Sequence, residues 1–145
     1  MSLRTLLILS AVLVLAACAR SAVMPLAADT IQVTTTAAPV CGATGAQNVA
    51  VRRVAIETIN RGYDKFIILG AQAQSNLSGF TPIVANTSGG TTIISGGQPL
   101  TRHSQGIVAK MFKEGDPAGA NAISARATLG PKWQEVVKES TATTC

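Results

Sequence analysis

The sequence predicts an α+β domain: a small mixed sheet of about four to five strands, with helices packed on one side. Three observations predict it. Residues 30–36, TIQVTTT, are β-branched and alternating, and later apolar runs are punctuated by glycine, which is the pattern of strands. Residues 46–59 repeat apolar side chains at helical spacing. The pieces run as strand, helix, four strand pieces and two helices, so the strands cluster and do not alternate with helices.

In chain order, Ala19 to Ala28 comes first; it is rich in small residues and broken by Pro25, which predicts a tether. The alternation from Thr30 to Thr36 predicts the first strand, with continued linker as the other reading of the same residues. Residues 38–42, APVCG, turn the chain. Thr44-Gly45-Ala46-Gln47 has capping-box spacing and places a helix start there. Ala46, Val49, Ala50 and Arg53 mark one stripe of that helix; Val54, Ile56 and Ile59 widen its apolar surface, and Gly62 is a left-handed stop. Residues 63–72, YDKFIILGAQ, are apolar on both parities, as a central strand covered on both faces would be. Gln74-Ser75-Asn76 reads as a polar break. Phe80 to Ala85 is a strand that Pro82 pushes to an edge. Gly89-Gly90 and Gly96-Gly97 bracket TTIIS, a hairpin-like piece, and Ser104 to Lys113 is a further strand. Asp116-Pro117 starts a helix expected to run to Leu129-Gly130, and Pro131 opens a short last helix carrying Trp133, Val136 and Val137. The sequence contains no internal repeat.

The first residues carry an address. Arg4 supplies a charge, and residues 6–17 are apolar except for Ser10. A bilayer span needs roughly 20 apolar residues. This block is short for one and has the layout of a secretory signal. Leu15-Ala16-Ala17-Cys18 resembles the lipobox of bacterial lipoproteins. That resemblance implies that the Cys18 thiol takes a diacylglyceryl group and that cleavage leaves Cys18 as the acylated first residue. Anchoring through two or more acyl chains is stable, each methylene contributing about 0.8 kcal/mol. Ala17-Cys18-Ala19 also fits an ordinary cleaved signal. The expected organisation is a signal peptide over 1–17, a lipid-anchored tether over 18–28 and one α+β domain over 29–145. Ala19, in place of an acidic residue, implies by likeness to Gram-negative lipoproteins an outer-membrane address facing the periplasm.

Removal of residues 1–17 leaves 128 of the 145 residues, one domain by length. The aromatics are Tyr63, Phe66, Phe80, Phe112 and Trp133, so the core must be mostly Val, Ile, Leu and Ala. A small core of that kind gains from a covalent tie. With Cys18 acylated, Cys41 and Cys145 remain, and an oxidising compartment makes them an expected disulfide. Closing a loop of about 100 residues stabilises by up to about 4.7 kcal/mol in the chain-entropy account. Two free thiols, or a bond to another chain, are the other readings. The 12 Lys and Arg against 7 Asp and Glu give a net charge of +5, yet only Arg52 and Arg53 are adjacent. Nucleic-acid binding calls for a clustered basic face and a recognisable module, so no nucleic-acid partner is expected. The cysteines have no zinc spacing, the acids no calcium-loop spacing, and C-x-x-C is absent; no metal or cofactor is expected.

Two longer runs, CGATGAQNVAVRRVAIETINRGYDKFIIL from Cys41 and GIVAKMFKEGDPAGANAISARATLGPKWQEVV from Gly106, are similar to a family of small uncharacterised Gram-negative envelope lipoproteins. The likeness covers roughly residues 29–145. It rests on a cysteine before the first helix, RGYDKFII-type text after it, and MF with GDP later. It implies a lipid-anchored α+β domain and carries over no catalytic residue. A more distant likeness is to the Rcs stress-sensing outer-membrane lipoprotein, also a small disulfide-bonded α+β domain on a lipid anchor.

His103, the one histidine, lies in LTRHSQG beside Arg102 and Ser104. A serine hydrolase would gather a serine, this histidine and an acid in space, and the G-x-S-x-G elbow is absent. A polar loop residue, a strand cap or a contact for a partner are its other readings. Glycines 89, 90, 96 and 97 precede no Gly-Lys-Ser/Thr and read as turn punctuation. Two function classes stay open. One is a lipid-anchored, periplasm-facing binding module of the cell envelope, attached to the membrane by its N-terminal lipid and holding an envelope protein or peptidoglycan. The other is a small envelope enzyme. The first is the expectation, with the Ser-, Thr-, Asn- and Gly-rich stretch from Gln74 to Arg102, uncharged until Arg102, read as a loop-rich contact surface.

Overall fold

The computed structural model describes residues 19–81, 84–88, 91–96 and 98–139. The expected signal peptide over 1–17, Cys18, Pro82, Gly89, Gly90, Gly97 and Cys145 lie outside the described residues. The strands are β1 Ala19–Ala27, β2 Thr30–Ala37, β3 Lys65–Phe80, β4 Val84–Ser88, β5 Thr91–Ser95, β6 Pro99–Phe112 and β7 Ile123–Ser124. The helices are α1 Gly42–Asn60, α2 Ala125–Leu129 and α3 Trp133–Glu139. Five strands form one sheet in the order β1-β2-β6-β3-β7, and β4 pairs with β5. The class is α+β, as expected. The sheet is not mixed, because every pairing is antiparallel. β2, α1 and β3 make a crossover unit whose two strands run parallel, but β6 inserts between them and pairs antiparallel with both.

The expected tether is a strand. β1 pairs with β2 from Ala19↔Ala37 to Ala27↔Thr30, so the sheet begins at Ala19 and not near Asp29. Pro25 is tolerated because β1 is an edge strand, and the register shifts between Pro25 and Ala27.

α1 begins at Gly42, ahead of the Thr44 capping box, and Cys41 at its N-cap makes no side-chain cap bond. Its far end closes as expected. The Gly62 N–H donates to the Ile59 carbonyl and the Tyr63 N–H to the Thr58 carbonyl, both at 2.9 Å, with Gly62 at φ +79°. This is the Schellman closure that a left-handed glycine permits.

β3 runs through Gln74-Ser75-Asn76, the expected break. It is also not covered on both faces. Phe66 is buried and Ile68 packs against the core, but the register shifts between Ile68 and Gly70 and Leu69 is exposed. The bulge accounts for Leu69, while Ile67, opposite Lys110, is half-buried on the face turned away from Phe66 and Ile68.

Asp116 caps as expected, accepting from the Ala118 N–H at 2.9 Å, but only a 3-10 turn follows at Pro117–Gly119. The chain is then drawn back to the edge of β3. Ser124 pairs with Lys65, and the Ala125 N–H donates to the Asp64 carbonyl at 3.0 Å. Those edge groups would otherwise lack partners. The expected long helix is therefore interrupted by β7, and α2 ends at Leu129 before Gly130 at φ +82°.

Burial alternates along the central strands. Ile31, Val33, Thr35 and Ala37 of β2 and Gln105, Ile107, Ala109 and Met111 of β6 are buried, together with Ala46, Val49, Ala50, Val54 and Ile56 of α1. α1 packs on β2, β6 and β3 across this face. The buried hydroxyls are satisfied: Thr35 Oγ1 lies 2.7 Å from Ser21 Oγ, and Thr58 Oγ1 donates to the Val54 carbonyl at 2.8 Å.

One row divides the sheet. Ala19, Ala37, His103 and Ser75 line up across β1, β2, β6 and β3. Past this row, β3 and β6 pair with each other from Asn76↔Arg102 to Phe80↔Pro99 as a two-stranded ribbon. Gln74 to Arg102, expected to be loop-rich, is thus largely strand among the described residues.

Candidate functional site: the open face of the sheet

The alternation that buries the odd-numbered residues of β6 turns the even-numbered ones away from α1. Gln32 pairs with Val108, which pairs with Gly70; Thr34 pairs with Gly106, which pairs with Gln72; Thr36 pairs with Ser104, which pairs with Gln74. Two of these positions are glycine, Gly70 and Gly106, so the face is indented at its centre. The indentation is a shallow trough of roughly 310 Å³ over Gly70, Gln72, Gly106 and Val108. It continues into a second hollow of roughly 170 Å³ lined by Gln32, Thr34, Gln72, Gln74 and Ser104.

Three carboxamides and the hydroxyls of Thr34 and Ser104 each offer both donors and acceptors, Ala71 and Val108 add apolar surface to the larger hollow, and no charged residue lines either hollow. Ser104 Oγ and Thr36 Oγ1 lie 3.3 Å apart, which fixes that edge. Such a surface matches a ligand rich in hydroxyl or amide groups and without a charge. Salt should have little effect on binding there, because no ion pair forms.

His103 faces the other side. Its Nδ1 lies 3.0 Å from Ser75 Oγ, beside a hollow of roughly 20 Å³ bounded by Ala43, Ala46 and Gln105. That volume is about what one water occupies. The acids sit elsewhere. Asp64 pairs with Arg126 at 2.8 Å, Glu114 with Lys65 at 2.6 Å, Asp29 with Lys110 at 3.5 Å and Glu57 with Arg53 at 2.8 Å. On the sheet register Asp29, Asp64 and Glu114 lie at the end away from His103, and Glu57 and Arg53 pair within α1. The structure thus brings a serine to the histidine without a carboxylate beside them among the described residues.

Of the three cysteines, Cys41 is disulfide-bonded; Cys18 and Cys145 lie outside the described residues. No group of three or more His, Cys, Asp or Glu that could hold a metal occurs among the described residues. Among them, no helix is long and apolar enough to cross a membrane.

Sequence reasoning missed Gln32 and Gln72 and took Gln74 only as the start of a loop-rich contact surface, because the three come together only through the pairing of three strands. The available signal was Gln72-Ala73-Gln74-Ser75-Asn76, whose polar residues at every second position suit a strand with one solvated face. Comparison of the chain with protein-family models, curated proteins and solved structures finds no match.

Proposed function

We propose that the chain is a lipid-anchored, periplasm-facing binding module of the bacterial cell envelope that holds another envelope molecule, peptidoglycan or protein, on the open face of its sheet. The trough at Gly106, with its amide and hydroxyl lining, carries this reading. On it, all the helices lie on the core face, so that the opposite face stays free for a ligand. Cys18 directly precedes β1. Its acylation in the lipobox would anchor the sheet itself, and by the lipoprotein sorting rule the address is the outer membrane. Acylation also occupies the Cys18 sulfur, which leaves Cys145 as the partner of Cys41 within the chain.

A second reading, a small envelope enzyme, draws on the Ser75–His103 pair at 3.0 Å. The missing carboxylate and the one-water hollow count against it, since a nucleophile and base also need an orienting group and room for substrate.

The test is a photoreactive residue in place of Gln72 in intact cells, which should give a discrete adduct with peptidoglycan or with one envelope protein. Gly106→Val should abolish it. A Cβ at Gly106 meets nothing closer than the Gln72 carbonyl oxygen at 3.8 Å, so the variant fills the trough and keeps the fold. An adduct that survives Gly106→Val, or none from Gln32, Gln72 and Gln74 alike, overturns the proposal.

A further inference from the structure

We infer that the Ala19 end of the sheet faces the bilayer, and that the β3–β6 ribbon and the turn at Pro39–Val40 rest against the lipid headgroups. The inference rests on the proposed anchor at Cys18 and names the surface that this anchor presents to the membrane. Register carries it first. β1 starts at Ala19, level with Ala37, His103 and Ser75. The ribbon continues past that row on the side of the Ala19 end of β1, opposite to the run of β1 from Ala19 to Ala27.

Composition agrees with register. No charged residue occurs from 66 to 101, the whole of β3 beyond Lys65 through the start of β6. Leu77 and Phe80 on the ribbon are 60% and 61% exposed, Leu100 is exposed on its opposite face, and Val40 in the turn after β2 is 72% exposed. The acids of the strands and their flanking turns, Asp29, Asp64 and Glu114, lie at the other end. Two charges flank the Ala19 row, Arg20 and Arg102, and both are positive, the sign that anionic lipid attracts. Met24, Leu26, Leu69 and Ile123, away from the Ala19 row, are exposed as well, so it is the absence of charge, more than apolar exposure, that sets the ribbon end apart.

Dimensions fix the attitude of the domain. The ribbon extends about 16 Å past the row to Phe80 and Pro99, where the chain goes on into β4 and β5, and β3 lies about 14 Å from β1 across three strand spacings. The headgroup layer is only about 5–7 Å deep on each side. A sheet standing upright would drive the unpaired backbone groups of the ribbon edges into hydrocarbon, where they find no partner. The sheet must therefore lean, so that Cys18, Val40 and the ribbon touch one plane and the ribbon lies in the interface.

The experiment uses the mature lipidated protein in phosphatidylethanolamine–phosphatidylglycerol vesicles with brominated acyl chains. Tryptophan replaces one residue at a time in a Trp133→Phe background. Phe80→Trp and Val40→Trp should each lose about half of their fluorescence, because an indole at headgroup level comes within reach of the bromines. Leu26→Trp and Ile123→Trp, at the far end, should lose none. Flotation and palmitate labelling of wild type against Cys18→Ser separate the anchor from the orientation. Wild type that neither floats nor takes label overturns the anchor and this inference with it. Wild type that floats while Phe80→Trp and Val40→Trp stay bright overturns the orientation alone. Quenching of all four alike, or a crosslink from Phe80 to a second copy, also overturns it.

Discussion

β3 and β6 pass through two regions that treat the same residue types in opposite ways. In the body, beneath α1, Phe66 of β3 is 0% exposed and packs with Ile107, Ala109 and Met111 of β6. In the ribbon, Phe80 of the same strand is 61% exposed and pairs with Pro99. Backbone pairing is continuous across the boundary, apart from the shifts at Ile68/Gly70 and Leu77/Gly79. Burial is set by the helix that covers the sheet and not by the apolar content of the strands. α1 starts at Gly42, close to the Ala19–Ala37 row, and nothing among the described residues shows it extending over the ribbon.

The largest effect that tests this contrast is a pair of truncations. Phe66→Ala removes a fully buried ring and should cost about 3–5 kcal/mol in urea unfolding. Phe80→Ala should stay within about 0.5 kcal/mol, as exposed positions do. Equal losses at the two positions would mean that the ribbon is part of the same cooperative core, and the contrast would fail.

The contrast also explains which parts of the fold are legible in the sequence. Gly62 and Gly130 are readable because only a positive φ closes those helix ends, and glycine is the residue that adopts it. Thr30 to Ala37 is readable because alternation survives where one face is buried. β1 is not, because an edge strand tolerates Pro25 and small residues and so resembles a linker. Gln74-Ser75-Asn76 resembles a break for a related reason: polar residues belong in a strand that helices do not cover. In the apolar run from Phe66 to Leu69, Ile67 lies half-buried on the open face and a bulge takes up Leu69, so the run looks doubly covered when it is not. The trough depends on three strands far apart in sequence, and no local pattern announces such a set. Cys41 is bonded in a disulfide, and the cysteines that could pair with it, Cys18 and Cys145, lie outside the described residues.

That bond gives the next effect in size. Cys41 sits at the N-terminus of α1, the element that separates body from ribbon. Cys41→Ser should lower stability by about 2–4 kcal/mol. Hydrogen exchange should rise in α1, β2 and the inner half of β6, while amides of residues 76–80 keep their wild-type rates. Peptide mapping of the unreduced protein should find Cys41 linked to Cys145. A link to Cys18 would leave no sulfur for a lipid and would undo the anchor as well as the disulfide assignment.

The smallest effect comes from the charged pole, the end of the body farthest from the ribbon. The Asp29 carboxylate accepts from Thr30 Oγ1 at 3.0 Å and lies 3.5 Å from Lys110 Nζ. The Thr30 hydroxyl first, and the Lys110 charge after it, hold its pKa below the ordinary carboxylate value. A native value below the unfolded one favours the ionised form in the fold. The stabilisation is therefore present above about pH 3.9, the unfolded value, and is lost as pH falls through the lower native value. The group is exposed, so salt weakens the effect. Asp29→Asn should leave stability at neutral pH nearly unchanged and flatten its fall below about pH 4, more visibly at low ionic strength. Protection factors of residues 76–80 should not follow this titration, because the span from 66 to 101 holds no carboxylate. Acid unfolding curves that run parallel for wild type and Asp29→Asn would show that Asp29 contributes nothing to the acid response. Ribbon protection that falls with the body's would show that the two regions share one stability after all.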